Sequence, residues 1–433
     1  MKRAIALALS MTALSVTTAG AQDLSAEVDR RLTAVLPKVI TWRRDIHQHP
    51  ELGNHEVRTS KVVADHLRAL GLEVKTGVAK TGVIGVLRGG RPGPVVALRA
   101  DMDGLPVVEM TDLPFKSTAR GTYNGESVGI MHACGHDSHT AMLMGVAEIL
   151  SGMKAQVPGT VKFIFQPAEE GPPPGETGGA GDMVKEGALE NPNVDAIFGL
   201  HVMPASVGTL LYRSGGLMAS SDRLKITVHG RQTHGAAPWG GVDPIAVSAG
   251  IISGLQTIVS RQIDITQAPA IVTIGRITGG IRYNIIPDQV VMEGTIRALD
   301  PAVQKDLHAR VTRTAQLIAQ SAGAEAAVEI ETTAPVTYND PKLTAQMVPT
   351  LRRIAGSDKA FEVPPTTLAE DFSKFQQKVP GMYFYLGVNQ AGADPATVPR
   401  NHSPLFFVNE DAFPVGIRAM ANLALDYLQA PAR

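Results

Sequence analysis

Residues 160–171 read TVKFIFQPAEEG, a short run of β-branched and aromatic residues that meets a proline and then two adjacent glutamates. A run of this length bounded by turn residues is typical of a strand buried on both faces. Runs of the same kind are VIGVL at 83–87, VVALRA at 95–100, AIFGL at 196–200 and GMYFYLG at 381–387. We therefore expect these segments to form one central, mostly parallel β-sheet.

Segments with helical periodicity separate and flank these strands. They lie at about 25–47, 56–70, 140–150 and 412–428. Strands that alternate with helices indicate an α/β fold in which helices cover both faces of the sheet.

The pattern changes between residues 221 and 333. Strands at 223–230, 270–277, 289–299 and 326–332 and helices at 244–263 and 301–323 follow one another in the order β-α-β-β-α-β. This order is that of a ferredoxin-like unit. We expect an inserted ferredoxin-like domain at 221–333, and a discontinuous main domain formed by 22–220 and 334–433.

The composition is that of an ordinary globular protein. The 433 residues are 44% hydrophobic and 19% charged, with a net charge of −1. No run of lysine and arginine suggests a nucleic-acid or anionic-lipid surface, so we expect a small-molecule partner.

The N-terminal residues have the pattern of a secretory signal peptide. Two basic residues at positions 2 and 3 precede a mostly apolar stretch at 4–16, and AGA at 19–21 suits a cleavage site. We expect cleavage after Ala21 and an exported, periplasmic protein, with an uncleaved anchor as the alternative. In an oxidising compartment the single cysteine, Cys134, would need burial or ligation, because it has no internal disulfide partner.

Acidic residues, histidines and this cysteine fall just past predicted strands or at a helix start. The set is Asp101, Asp103, Cys134, His136, Glu169, Glu170, His201 and His402. Ligands of open α/β sheets bind outside the carboxyl ends of the strands, so these distant residues should converge in one crevice. Cysteine, histidine and glutamate are ligands of transition metals. Two adjacent carboxylates beside a metal favour one as a ligand and the other as a general base.

Each of these features alone has a simpler explanation. A lone cysteine is usually a buried apolar residue, and a histidine after a strand is usually hydrogen-bonded in the core. Asp101 and Asp103 suit a turn. The segment GESVG at 125–129 matches a nucleophile elbow around Ser127, but such an elbow needs a strand before it and a helix after it. A polar loop and the Cys/His cluster stand in those places here.

Ten motifs, in this order, resemble those of M20-type metallopeptidases. They are RRDIHQHPELGNHE, RADMDGLP, MHACGHDSHTAMLMG, QPAEEG, GLHVMP, HGAAPWGGVDPI, YNIIPD, GTIRALD, AEDFS and NHSPLF. The closest resemblance is to the amidohydrolase branch that includes hippurate hydrolases, N-acyl-amino-acid amidohydrolases and auxin-conjugate hydrolases. It covers essentially all of the chain after the signal peptide.

The resemblance implies a role for each matching residue. It implies two divalent metal ions per chain (zinc, manganese or cobalt), held by Cys134, His136, Glu170, His201 and His402. Glu169 would be the general base. Asp101 stands where other branches carry a metal-ligand histidine, so its role is open.

The resemblance extends to the inserted domain, which serves as a dimerisation and lid domain in the family. It implies a homodimer and a role in substrate binding for His234, Asn284 and Arg297. His234 lies in a glycine-containing loop after the first strand of this domain, so we expect it to be catalytic and to reach the site of the other chain. The alternative is a histidine that caps its own loop. The resemblance further implies that His47, His49, Glu51 and Glu370 support the structure.

The main hypothesis is therefore a two-metal amidohydrolase that cleaves N-acyl-amino acids, in particular hippurate-like substrates, to a carboxylic acid and a free amino acid. One alternative is a carboxypeptidase or dipeptidase that uses the same residues. Another, of a different class, is a non-catalytic exported protein that binds a metal or ligand, for which Glu169 would have no use.

Overall fold

The computed structural model describes residues 24–430, except 391, 395 and 396. The predicted signal peptide at 1–21 lies outside the described residues. Within the described range, no helix has both the length and the apolar character that a bilayer crossing requires.

The helices are α1 (Leu24–Gln48), α2 (Val57–Ala69), α3 (His136–Gly152), α4 (Gly179–Lys185), α5 (Pro244–Arg261), α6 (Pro301–Ser321), α7 (Pro341–Ala355), α8 (Ser373–Gln376) and α9 (Phe413–Gln429). The strands of the first half are β1 (Glu73–Val78), β2 (Gly82–Arg88), β3 (Arg91–Asp101), β4 (Arg120–Tyr123), β5 (Glu126–Gly129), β6 (Pro158–Gln166), β7 (Ala196–Ser206), β8 (Leu210–Tyr212) and β9 (Gly215–Met218). Those of the second half are β10 (Ser221–His229), β11 (Thr233–His234), β12 (Ala270–Gly279), β13 (Ile285–Ile286), β14 (Gln289–Ala298), β15 (Glu325–Ala334), β16 (Thr337–Asn339), β17 (Ala360–Glu362) and β18 (Gly381–Asn389).

An eight-stranded sheet forms the centre of the molecule, in the order β1-β2-β6-β3-β7-β18-β8-β17. Four of the five predicted apolar runs, β6, β3, β7 and β18, run parallel to one another, and the fifth, β2, is antiparallel to β6. Alternate residues of β18 pack on opposite faces: Met382 and Phe384 on one side, Tyr383 and Tyr385 on the other. The strands are apolar throughout because both faces of the sheet are covered.

Helices cover both faces of this sheet. The long helices α1, α3 and α9 pack together on one face, where their buried residues form a single core with β3, β6 and β7. The short helices α4 and α8 pack on the other face. The predicted α/β fold, with helices on both faces of a mostly parallel sheet, is confirmed.

A second sheet has the order β12-β14-β10-β15, and every neighbouring pair in it is antiparallel. Together with α5 and α6 it has the element order predicted for the ferredoxin-like unit. Asp243 and Asp300 cap these two helices, and each accepts two backbone N–H groups of the first turn. This arrangement is consistent with the predicted inserted domain, which stays a prediction together with its boundaries, 221 and 333.

Two local expectations differ from the structure. The strand predicted at 196–200 continues to Ser206, so His201 lies within β7 and not beyond it. Its continuation pairs with β18, which extends equally far. Ser127 lies in β5 of the exposed hairpin β4–β5, and not between a strand and a helix, so the nucleophile-elbow geometry is absent there.

Candidate metal centre

The sheet register brings several predicted site residues to one edge. Asp101, the last residue of β3, lies opposite Gln166, the last residue of β6. On the other side of β3, Arg99 pairs with Gly199, so Asp101 is level with His201 in β7. The carboxyl ends of three parallel strands therefore line one crevice, as expected for this fold class.

The loop before α3 presents Cys134 and His136 to that edge. Gly135 between them has a φ of 93°, a conformation that L-residues rarely adopt. A Cβ at this position would lie 2.3 Å from a methyl carbon of Val202, the residue after His201. Glycine thus allows the loop to approach the strand closely, and Cys134 Sγ lies 3.3 Å from His201 Nε2.

Hydrogen bonds at Nδ1 orient two buried histidines. His136 Nδ1 lies 2.9 Å from the backbone oxygen of Asp103 and 3.1 Å from its Oδ1. His201 Nδ1 lies 2.8 Å from the carbonyl oxygen of Val202. Oxygen acceptors at Nδ1 favour the tautomer with its proton there, which leaves the Nε2 lone pair free for a metal. His136 Nε2 is buried and has no hydrogen-bond partner.

The backbone before the two glutamates is held in place by buried carboxylates. Ala168 has a φ of 50°, and its N–H donates to Glu56 Oε1 at 2.8 Å. Asp103 Oδ2 accepts the N–H of Glu170 at 3.0 Å. These contacts stabilise the tight turn that follows β6 and set the direction of both glutamate side chains.

Both glutamate side chains point at the cluster. Glu169 Oε2 lies 3.9 Å from His136 Nε2, and Glu170 Oε1 lies 3.0 Å from His402 Nε2. His402 has a φ of 72°, and its N–H donates to the carbonyl of Ala133 at 2.8 Å, so its loop is fastened to the cysteine loop. The contact with Glu170 raises the pKa of His402.

Carboxylates greatly outnumber permanent cations around the crevice. Arg99, fully buried, donates to Asp101 Oδ2 at 2.6 Å, to Glu370 Oε1 at 3.0 Å and to Asp371 Oδ1 at 3.2 Å. Asp103 and the two adjacent glutamates complete a contiguous group of six carboxylates. One guanidinium cannot balance six such groups, so bound cations suit this site.

The pKa values follow from burial and from this excess of negative charge. Burial, followed by the charge of nearby carboxylates, raises the pKa of Glu169 and of the Cys134 thiol well above their usual ranges. Burial lowers the pKa of His201 well below its usual range. It also opposes protonation of His136, but Asp101 and Asp103 outweigh it and raise that pKa to about 10. A bound cation would displace these protons, since it competes for the same lone pairs.

Two of the five possible donor sets among the described residues contain Cys134, and a third joins His136 to Glu169 and Glu170. Cys134 belongs to one set with His136 and His201, and to a second set with Glu170 and His402. Within each set the donor atoms lie within 4.8 Å of one another. The unpartnered Nε2 of His136 and the mixture of sulfur, nitrogen and oxygen donors fit divalent transition-metal ions.

Two residues without a predicted role connect the predicted ones. His139 Nδ1 lies 2.6 Å from Asp101 Oδ1, while its Nε2 accepts the N–H of Val202 at 2.9 Å. Asn401 Nδ2 donates to the carbonyls of Cys134 and Val202, at 3.1 and 3.2 Å. Asp101, whose role was open, thus supports the strand end that carries His201.

Some of these contacts could have been predicted from the sequence. Arg99 is a charged residue inside an otherwise apolar strand, and a buried arginine requires carboxylate partners. His139 follows His136 by three residues, which places both on one side of α3. No comparable signal identifies Asn401, because its partners are two backbone carbonyls from distant segments.

The residues predicted to support the structure make mostly structural contacts. His47 is buried between Asp137 and Glu109, at 2.8 and 3.1 Å. Glu51 accepts two backbone N–H groups in the first turn of α2. Glu370 Oε2 accepts the hydroxyl of Tyr383 at 2.6 Å. His49 is exposed, and its Nδ1 lies 2.8 Å from the carbonyl oxygen of Asp45, one turn earlier in α1.

The predicted substrate-binding residues of the inserted domain lie at two separate places. His234 is exposed, and its neighbour Gly235 donates to the carbonyl of Asn284 at 2.9 Å. Both lie near the Gln289 end of β14. Arg297 is at the other end of that strand, near Ser220, about 26 Å away at the rise of a β-strand. One chain therefore brings His234 and Asn284 together but not His234 and Arg297.

Comparisons with known proteins agree with this architecture. The chain is 41% identical over 408 residues to Thermostable carboxypeptidase 2 of Saccharolobus solfataricus, which covers 94% of this chain and 99% of that protein. It is 39% identical over 394 residues to the N-acetylcysteine deacetylase of Bacillus subtilis, which covers 90% and 97% of the two chains.

A crystal structure with the same fold is that of the Bacillus subtilis YXEP protein, described as a dinuclear metal-binding peptidase of the M20 family. It has a TM-score of 0.76 and 35% identity, and the match covers 92% of this chain and 99% of that one. Residues 97–426 match the profile described as peptidase family M20/M25/M40. On the strength of that match and of these relatives, the chain belongs to peptidase family M20/M25/M40.

Proposed function

We propose that this metal-dependent hydrolase cleaves the amide bond of N-acyl-amino acids and releases a carboxylic acid and a free amino acid. The observation that carries the proposal is the donor cluster with a spare carboxylate. Cys134, His136, Glu170, His201 and His402 would hold two divalent ions. Glu169 belongs to neither of the two sets that contain the cysteine, although it also lies within reach of His136 and Glu170.

The chemistry follows from this arrangement. Bound divalent ions supply positive charge that polarises a carbonyl and lowers the pKa of water. Glu169 accepts the proton of the attacking water and passes it to the leaving nitrogen. Asp103 holds His136 through Nδ1 and Glu170 through its N–H, and so keeps two donors in place during turnover.

The inserted domain would complete the site. Arg297 suits the carboxylate of the released amino acid, because a guanidinium can bind a carboxylate in a bidentate manner. His234, with Asn284 beside it, would donate to the oxyanion that forms at the scissile carbonyl. Since one chain separates His234 from Arg297, we propose that His234 acts across a homodimer.

Exposed apolar side chains near His234 support a dimer. Trp239 is 83% exposed, and Ile281 and Tyr283 are each 95% exposed. The neighbouring strand β12 is an edge of its sheet. Apolar surface and an unpaired strand edge are both features that proteins usually cover.

A carboxypeptidase is the second candidate, because a relative of 41% identity bears that name. One panel separates the two: N-acetyl and N-benzoyl derivatives of several amino acids beside dipeptides with the same C-terminal residue. We expect the N-acyl-amino acids to have the higher kcat/KM. Faster cleavage of the dipeptides would favour the carboxypeptidase, and no cleavage of either class would favour a binding protein.

A further inference from the structure

A small cavity lies beside Glu170. Its volume is about 30 Å³, and its walls include Leu52, Leu105, Pro106, Tyr123 and Pro173. Asp103 and Glu170 are the charged residues that line it, and its lining residues include no basic side chain. Most residues of the lining are thus apolar, and its polar end, formed by Asp103 and Glu170, faces the metal centre.

The floor of the cavity is fixed to the metal centre. Leu52 and Gly104 form a β-bridge, and the N–H of Gly104 donates to the carbonyl of Glu51 at 2.7 Å. Leu105 and Met131 exchange two backbone hydrogen bonds of 2.9 and 3.0 Å. Met131 precedes Cys134 by three residues, so these hydrogen bonds join the floor to the segment that carries part of the donor set.

The outer wall is the hairpin β4–β5. Its turn, Asn124-Gly125, has φ values of 53° and 81°, which is the conformation of a tight two-residue hairpin. Gly121 lies against the floor, since a Cβ there would be 3.7 Å from Leu52 Cδ1. Tyr123 is half-buried and lines the cavity.

We propose that this cavity receives the acyl group of the substrate and that Tyr123 restricts it to short, uncharged acyl groups. The inference rests on the proposed function and names its substrate class. The lining offers no basic side chain that could pair with the carboxylate of the amino acid, so the uncharged end of the substrate enters here. Since roughly 10–15 Å³ admits one water molecule, a cavity of this size holds a methyl group but not a phenyl ring.

The test compares N-acetyl and N-benzoyl derivatives of one amino acid in the metal-loaded enzyme. We expect wild type to prefer the N-acetyl compound by about tenfold or more in kcat/KM, the discrimination that a size-limited pocket provides. Tyr123→Ala should raise the N-benzoyl to N-acetyl ratio of kcat/KM by about tenfold. Tyr123→Phe, which keeps the ring, and Phe361→Ala, which removes an exposed ring from β17, should leave the ratio unchanged.

The possible outcomes distinguish the acyl-cavity proposal from the proposed amidohydrolase function on which it rests. Cleavage of both compounds with a ratio that Tyr123→Ala does not move overturns the acyl cavity and leaves the amidohydrolase intact. A wild type that prefers the N-benzoyl compound overturns it as well. A wild type that cleaves no N-acyl-amino acid overturns the proposed function, and the cavity proposal falls with it.

Discussion

At the scale of single residues, the glutamate pair after β6 offers the sharpest test of the proposed chemistry. Glu169→Gln keeps the shape of the side chain but removes the base. We expect kcat to fall by at least ~10²-fold, because general acid–base catalysis contributes about that much. Metal analysis of the same sample should show the divalent ions still bound.

Glu170→Gln is the matched variant, since it makes the same change one residue away. It should loosen metal binding, because Glu170 belongs to the donor set with Cys134 and His402. Added metal in excess should therefore restore part of the activity of Glu170→Gln, but it should not restore the activity of Glu169→Gln. Wild-type turnover in Glu169→Gln would show that the two roles have been assigned in the wrong order.

The sequence predicted which residues form this site better than it predicted the contacts among them. Cys134, His136, Glu169, Glu170, His201 and His402 lie together in the structure, although their roles as ligands and base stay predictions. The pairing of Asp101 with His139 was not predicted. It depends on the rotation of α3 about its axis, which hydrophobic periodicity leaves undetermined.

At the scale of elements, the long helices and buried strands were predictable, because burial on both faces leaves an unbroken apolar run. The prediction for α1 at 25–47 differs from Leu24–Gln48 by one residue at each end. Short strands such as β8 and β17 were not predicted. Three residues are too few to show a period, and their strand conformation comes from pairing with each other and with β18.

A buried carboxylate in β10, the first strand of the inserted domain, provides a test of the contacts that stabilise this domain. Asp222, the second residue of β10, accepts hydrogen bonds from Gln304 of α6 at 2.8 Å and from Thr332 of β15 at 2.5 Å. His308 Nε2 lies 3.2 Å from its other oxygen. Asp222→Asn should destabilise this domain by about 1–3 kcal/mol, because buried donors lose their charged partner.

Hydrogen exchange in peptides from β10 and β15 measures this effect on the domain itself. Asp306→Asn is the control, because Asp306 pairs with Arg310 on the exposed face of α6 and should cost less than about 0.5 kcal/mol. Equal exchange in the two variants would contradict the assigned role of Asp222.

The contribution of Asp222 should depend on pH. Burial alone would raise the pKa of Asp222, but the contacts with His308 and Thr332 outweigh it and lower the pKa. A lowered pKa stabilises the fold above the unfolded value of about 4, and this stability is lost as the pH falls through the folded value. The difference in unfolding free energy between wild type and Asp222→Asn should therefore shrink as the pH falls into the acid range.

At the scale of the whole molecule, the excess of carboxylates around Arg99 predicts that metal stabilises the fold as well as the reaction. Removal of metal by chelation should abolish activity and lower the Tm, because ions that bind only the folded state stabilise it by mass action. Zinc, manganese or cobalt should restore both. In Cys134→Ala, which loses the donor common to both sets, added metal should raise the Tm less. Full activity in a metal-free sample would contradict the whole mechanism.

If His234 and Arg297 have their proposed roles, the proposed dimer is required for catalysis. His234 is in the short β11–β13 pair, beside the end of the four-stranded sheet that is remote from Ser220. Arg297 lies at the opposite end of that sheet, next to Ser220. A single chain cannot place both beside one amide bond unless the domain rearranges over about 26 Å, the length of eight residues of β14. A twofold dimer solves this geometrically, because each chain can offer its remote end to the near end of the other.

Mixed dimers of two inactive variants test this exchange. We expect His234→Ala and Glu169→Gln each to lose activity alone. If His234 acts across the interface, a mixed dimer has one site with both defects and one site with neither. Random mixing makes half of the dimers mixed, so the co-expressed pair should recover about a quarter of the wild-type activity per chain. If His234 serves its own chain, every site keeps one defect and the mixture stays inactive.

The same experiment with His234→Ala and Glu170→Gln should also recover activity, because the two defects again lie in different chains. A protein that is monomeric at assay concentration would rule out the exchange.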